Sequence, residues 1–284
     1  MEFLDSCYWR DADLAGLQFT ANRFLHKEVR AHRHGGHTLS VSDTELQVRT
    51  RAGTFVVPPG TLLRIGPQVW HAVRARSAPW RERAIYCSLA VARCVSAVAQ
   101  PHVPAPSEGD DEVALFAKEP WGYEFSECHE LLMRAHHGGD PEAGALGRTL
   151  LRERLAQWLP LQSASMHAAP LELDSGDARV DRLYGLIATG FRERLTLDEM
   201  AEAVGWHPVY LQRRFKHALH FTPHELLVGH RIEYARDLIA GGALVTQAAH
   251  AAGFADQSHL HKTFLSTYAV VPGEYRRLSS LDAL

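Results

Sequence analysis

Two sets of side chains in this 284-residue chain have the types and spacing for specific chemistry. The first is a set of imidazoles. His32 and His34 lie two residues apart, hence on one face of a strand, and His71 sits just after a Pro- and Gly-centred turn. Three neutral imidazoles suit Zn, Ni, Cu or Fe, so the cluster is a candidate site for a divalent transition metal. His37 joins it if Gly35 and Gly36 form a bulge that turns its ring inward. The same histidines can instead line a polar ligand pocket without metal. No Cys or carboxylate stands beside them in sequence to complete a ligand set.

The second set is helical. At 100° per residue, Val209, Gln212, Arg213 and Lys216 fall at i, i+3, i+4 and i+7 on one face, while Leu211, Phe215 and Ala218 fall on the other and point to a core. Gln and Arg carry the paired donors and acceptors that match adenine and guanine edges in the major groove, and Lys neutralises phosphate. Further on, Leu260 and Phe264 mark a buried side. Ser258 and Lys262 then face outward, with Gln257 and His259 at the leading end. Each face alone is also what the solvated side of a helical bundle looks like. Duplication decides between the readings, because residues 196–226 repeat at 245–275. Ala201 matches Ala249, Gly205 matches Gly253, Leu211 matches Leu260, Phe215 matches Phe264 and Pro223 matches Pro272.

The elements that must position these faces are legible. Thr196 with Glu199 forms a capping box, Leu197, Met200, Ala201 and Val204 give the following helix one apolar stripe, and Gly205 ends it. Pro208 then suits the first turn of the next helix. Helix, glycine turn and helix is the unit that sets one helix in a DNA groove. Between the two copies, residues 223–240 read as one helix opened by a Thr222–Glu225 capping box and stopped by Gly241 and Gly242. Eighteen residues span about 27 Å, close to the ~34 Å between consecutive major grooves on one face of a duplex.

Charge is segregated to match. The chain carries a formal charge of −3, and from residue 176 onward twelve Lys or Arg face twelve Asp or Glu. Yet no acid occurs between Glu202 and Glu225 or between Asp256 and Glu274. A basic stripe on a nearly neutral domain is the expectation.

Two such units joined by a long helix, with YLQRRFK from Tyr210, RIEYARDLI from Arg231, GFADQSHLHKTF from Gly253 and VVPGEYRRL from Val270, resemble the AraC/XylS family of transcription regulators over about residues 178 to 278. His207 stands where the family usually has a Ser cap, and Arg214 where an apolar residue is common. The resemblance implies base or backbone contacts from Val209, Gln212 and Arg213 and from Gln257, Ser258, His259 and Lys262. It also offers Arg231 a phosphate, although a surface salt bridge explains that residue equally well. Implied partners are double-stranded DNA, a small-molecule effector, a second copy in a homodimer and RNA polymerase, with no membrane.

The amino-terminal third has another character. From Leu39 short alternating runs are punctuated by Gly and Pro, which predicts a small antiparallel barrel or sandwich. HRHGGH at 32–37 and TFVVPPGTLLRIGPQVWHAV at 54–73 resemble the cupin-like sensor domain found in part of the same family. The glutamate that usually completes a cupin metal site is absent, since Gly36, His37, Thr38 and Leu39 fill that stretch.

Residues 84–175 read as mostly helical. Leu146, Leu150, Leu155 and Leu159 give one apolar stripe, for packing on the barrel or for a subunit interface. Residues 100–111 are a Pro- and acid-rich loop, and 163–177 have linker composition. The expected fold is thus α+β and multidomain: a cupin-like effector-sensing β-barrel over 1–100, a helical connector with a dimerisation region over 101–175, and an all-α domain of two helix-turn-helix units over 176–284. Cys7, Cys87, Cys94 and Cys128 form no CxxC pair, and the start of the chain lacks a signal-peptide core, so a reducing cytoplasm is expected. The function implied is an effector-controlled, sequence-specific DNA-binding transcription regulator rather than an enzyme. The alternative is a metal-dependent cupin enzyme with a DNA-binding appendage, for which no nucleophile elbow, phosphate loop or complete catalytic set is visible.

Overall fold

The computed structural model describes residues 6–98, 113–116, 120–159 and 175–280. The Pro-rich loop at 100–111 and nearly all of the 163–177 linker lie outside them. β1 (Cys7–Trp9), β2 (Leu17–Phe24), β9 (Trp80–Cys87), β4 (His37–Ser42), β7 (Leu62–Ile65) and β10 (Val113–Phe116) form a six-stranded sheet in that order. β3 (Glu28–His32), β8 (His71–Ala75), β5 (Leu46–Thr50) and β6 (Thr54–Val57) form a second, four-stranded one. Their inner faces meet in one apolar cluster, with Phe24, Leu63 and Trp80 from the first sheet against Val29, Val48 and Val57 from the second. No strand pairs into both sheets, so the expected barrel is a double-sheet arrangement rather than a closed cylinder.

The helical reading from residue 84 needs correction at two places, since 84–87 complete the central strand β9 and 113–116 form β10. Ala84, Ile85 and Cys87 are all buried, because β9 has sheet interior on one side and helices on the other. Such a short apolar run carries no period that separates strand from helix. α1 (Leu89–Val98) follows. α2 (Trp121–Gly138) and α3 (Pro141–Trp158) then cover the outer face of the larger sheet, where Phe125, Leu132, Leu151 and Trp158 pack on Phe19, Leu39 and Ile85. Of the expected stripe on α3, Leu155 and Leu159 are buried and Leu150 packs partly on the same core, while Leu146 is exposed; Ala143, Gly144, Gly147, Leu151 and Trp158 complete the inward face. Small residues set that face, since a Cβ on Gly147 would come within 3.0 Å of Leu131 on α2.

Among the described residues seven helices follow: α4 (Ala178–Gly190), α5 (Leu197–Val204), α6 (Pro208–Leu219), α7 (Pro223–Ala240), α8 (Val245–Ala251), α9 (Gln257–Tyr268) and α10 (Pro272–Ser280). Both expected capping boxes are present, at Thr196–Glu199 and Thr222–Glu225. Gly205 ends α5 at φ +67°, a left-handed conformation that costs glycine nothing. α7 is buried along most of its circumference because both helical units and the β domain lean on it. Leu226 and Leu227 join the core of the first unit, and Ile232, Ala235 and Ile239 that of the second.

The two parts dock through α7 and α9 against β3. Gly229 permits the approach: a Cβ there would lie 2.4 Å from the Trp70 ring and 2.7 Å from the Ala31 carbonyl. Polar ties flank it. The Arg33 backbone N–H and Nε donate to the two oxygens of Glu233 at 2.9 and 3.0 Å, and Arg49 donates to Glu225 at 2.5 Å. Among the described residues no helix is long and apolar enough to cross a membrane.

Candidate nucleic-acid interface and histidine cluster

α6 begins at His207, whose Nδ1 accepts the Val209 N–H at 3.4 Å, a long cap in keeping with imidazole where a hydroxyl or carboxylate serves better. Leu211 and Phe215 are fully buried and fix the helix's rotation. Val209, Gln212, Arg213 and Lys216 are consequently exposed. α9 is built the same way on a stronger cap, with Asp256 accepting the His259 N–H at 2.7 Å. Leu260 and Phe264 are buried, and Gln257, Ser258, His259 and Lys262 are exposed. Neither helix contains an acid. Each thus presents donors and positive charge outward with nothing on its own length to cancel them.

Two arginines are engaged within the protein itself. Arg231 donates from Nε to the Phe191 carbonyl at 2.7 Å and from a terminal nitrogen to the Glu193 carbonyl at 2.8 Å. It therefore staples α7 to the segment after α4 through backbone carbonyls rather than through a salt bridge. Arg214 pairs with Asp177 at 2.7 Å, and Asp177 also caps α4. Its charge fastens α6 to α4.

The histidines His32, His34 and His71 do meet. One candidate ligand atom from each lies within 4.8 Å of the others, and the ring centroids are 4.3 Å apart for His32 and His71. β3 ends at His32, so His34 reaches the cluster from the following loop rather than from the same strand face; the pairing of β3 with β8 shifts between Val29 and His32. A carbonyl only accepts, so the 2.8 Å contact from His32 Nδ1 to the Arg30 carbonyl and the 3.0 Å contact from His71 Nδ1 to the Val69 carbonyl place the proton on Nδ1. Nε2 of both rings then carries the free lone pair. Burial holds His71 down to about 4, and burial with neighbouring imidazoles holds His32 and His34 well below the ordinary range, so all three are neutral at pH 7.

His37 is not part of this group. In β4 it lies opposite Cys87, on the face that carries Leu39 and Ile85 toward the helices, whereas His34 packs on Tyr86, which points the other way. The Gly35–Gly36 segment leaves His37 on the wrong side of the sheet by one residue of register. Its pKa is pushed down to about 4 by burial and by Arg64.

Several neighbours of the cluster had no signal in the sequence. Glu82 shares the inner face of β9 with Tyr86; burial pushes its carboxyl up to about 7 against hydrogen bonds from Ser40 and Asn22. Tyr268, the last residue of α9, sets its ring edge on His32 with centroids 5.9 Å apart, and the Tyr8 hydroxyl donates to its carbonyl. Beside them a cavity of about 460 Å³ opens between the two parts, lined by Tyr8, Arg10, His34, Tyr86, Arg236 and Tyr268 among others. These residues come from positions more than two hundred apart, so only the folded chain brings them together.

The family model described as a helix-turn-helix domain matches residues 200–278. The chain is 26% identical over 137 residues to the melibiose operon regulatory protein of Escherichia coli K12, covering 47% of this chain and 45% of that protein. It is 34% identical over 70 residues to the HTH-type transcriptional regulator YbfI of Bacillus subtilis, covering 25% and 26%. The chain thus spans less than half the length of these relatives. Among solved structures, an apo variant of ToxT from Vibrio cholerae shares the fold over 93% of this chain and 98% of its own, with a TM-score of 0.50 and 11% identity.

Proposed function

We propose that this chain, whose carboxy-terminal domain is a helix-turn-helix domain of the AraC type, is a sequence-specific DNA-binding transcription regulator controlled by a small molecule at its β domain. The observation that carries the reading is the pair of acid-free, exposed faces on α6 and α9, each set by a buried Leu–Phe pair and joined through the eighteen residues of α7. Gln212, Arg213, Gln257 and His259 read base edges, Val209 and Ser258 pack beside them, and Lys216 and Lys262 neutralise phosphates. The cavity between the two parts is where an effector favours one domain arrangement over another, since a ligand held by both sides binds only one arrangement well. A second copy of the chain pairs through the α2–α3 layer, where Tyr123 and Leu146 are exposed. On a promoter, the bound protein then changes access or recruitment of RNA polymerase.

Selection from random-sequence duplexes with the purified chain tests the reading. A recovered consensus with two half-sites about one helical turn apart is expected. Binding with no sequence preference defeats it. Sedimentation tests the pairing, with Leu146→Glu expected to shift dimer toward monomer.

A further inference from the structure

We propose that His32, His34 and His71 bind a divalent first-row transition-metal ion, and that the ion acts on the second reading helix through Tyr268. The effect on DNA rests on the regulator reading above; the metal site does not.

Three features make the cluster a metal site rather than three packed rings. The candidate ligand atoms converge within 4.8 Å. The outer nitrogens of His32 and His71 are committed to backbone carbonyls, which is how metal-bound imidazoles are oriented and how their inner nitrogens are made better donors. His34 also lines the cavity between the two parts, which gives an ion a way in. The opposing charge nearby is Arg236, which Asp237 engages at 2.9 Å and Glu233 flanks. Three imidazoles favour Zn, Ni, Cu or Fe over Mg or Ca, which take oxygen ligands. A tetrahedral ion would leave one position for water or a small ligand, and His34 lines the cavity from which either arrives.

The lever follows from where the cluster sits. Nitrogens around a tetrahedral zinc are about 3.4 Å apart, so capture draws the rings inward by up to about 1.4 Å. His32 cannot move that far without disturbing Tyr268, which packs edge-on against it and is buried. Tyr268 ends α9, and the other end of α9 carries Gln257, Ser258, His259 and Lys262. One twelve-residue helix thus connects the histidine cluster to a DNA-contacting face.

The full chain titrated with Zn²⁺, and separately with Co²⁺ for its visible bands, tests this. One ion per chain is expected, with Co²⁺ bands of a four- or five-coordinate nitrogen site. His32→Ala and His71→Ala should each weaken binding by at least about tenfold, while His37→Ala leaves it intact. Zn²⁺ should change amide exchange across 257–268 in the unmodified chain and not in His71→Ala. On a duplex recovered by selection, Zn²⁺ should shift Kd at least about fivefold, a response lost in Tyr268→Leu with metal binding retained. No stoichiometric binding, or binding that survives both alanine variants, overturns the site. Metal binding with unchanged α9 exchange and unchanged Kd overturns the lever. If selection recovers no preferred sequence, the regulator reading fails while the titration and exchange results still decide the metal site.

Discussion

Arg213 and Lys216 sit one turn apart on α6 and are both exposed, yet their chemistry separates them. A guanidinium fits two acceptors on one base, whereas an ammonium is a point charge against phosphate. Arg213→Ala should weaken binding to the selected duplex by about 1–3 kcal/mol and relax one base position, and Lys216→Ala should weaken all duplexes alike. Titrations on selected and scrambled duplexes check this; equal losses for Arg213→Ala on both would remove its reading role. The outward set was legible because Leu211 and Phe215 fix the face from sequence alone. The partners of Arg214 and Arg231 were not, since Asp177 and the Phe191 carbonyl are brought to them only by the packing of α4.

Among elements, α7 governs how the two parts meet, and Gly229 is its contact point. Gly229→Val places a branched side chain where even a Cβ would be 2.4 Å from Trp70, so helix and strand must separate. Urea unfolding should show a loss of about 1–3 kcal/mol, and amide exchange in β3 should rise. Unchanged stability and exchange would mean that the docking yields easily at this point. Helix boundaries were readable wherever a cap announced them, as at Thr196, Thr222 and Gly205. Strands without such punctuation were not: β9 looked helical because its last four residues, Ala84 to Cys87, form a short apolar run that leads straight into α1. On α3 only Leu146 was misplaced, since leucines suggest a buried stripe but Gly144 and Gly147 decide which side comes close to α2. His37 shows the strictness of the strand period, where one residue of register separates it from the cluster.

The whole molecule carries buried titratable groups of both kinds, and their balance sets its acid response. Burial pushes His129 and His230 down to about 3, so below pH 6.5 the unfolded chain takes up protons that the folded chain refuses. Stability is therefore lost as pH falls below 6.5. Glu82 and Glu233, raised to about 7 chiefly by burial, act in the opposite sense: the fold keeps their protons between about pH 4.5 and 7, and stability declines as pH rises through that window. His230→Leu should flatten the acid-side slope by up to about 1.4 kcal/mol per pH unit. Urea midpoints between pH 5 and 7.5 read it, and an unaltered slope would show that His230 protonates without leaving its site.

Gln212, Arg213, Lys216 and Lys262 stand in solvent while both parts of the chain are joined. On the proposed reading, the amino-terminal half does not cover these side chains, and its departure is not needed to expose them. Beside a direct action on α9 through Tyr268, control can reset the distance or tilt between α6 and α9. Such control is felt only by targets that engage both: a cognate ligand should alter affinity for a duplex with two half-sites, and alter its preferred spacing, while a lone half-site is bound as before. Competition assays with paired and single half-site duplexes distinguish the two, and an equal response from both would mean that the signal acts inside one reading unit instead.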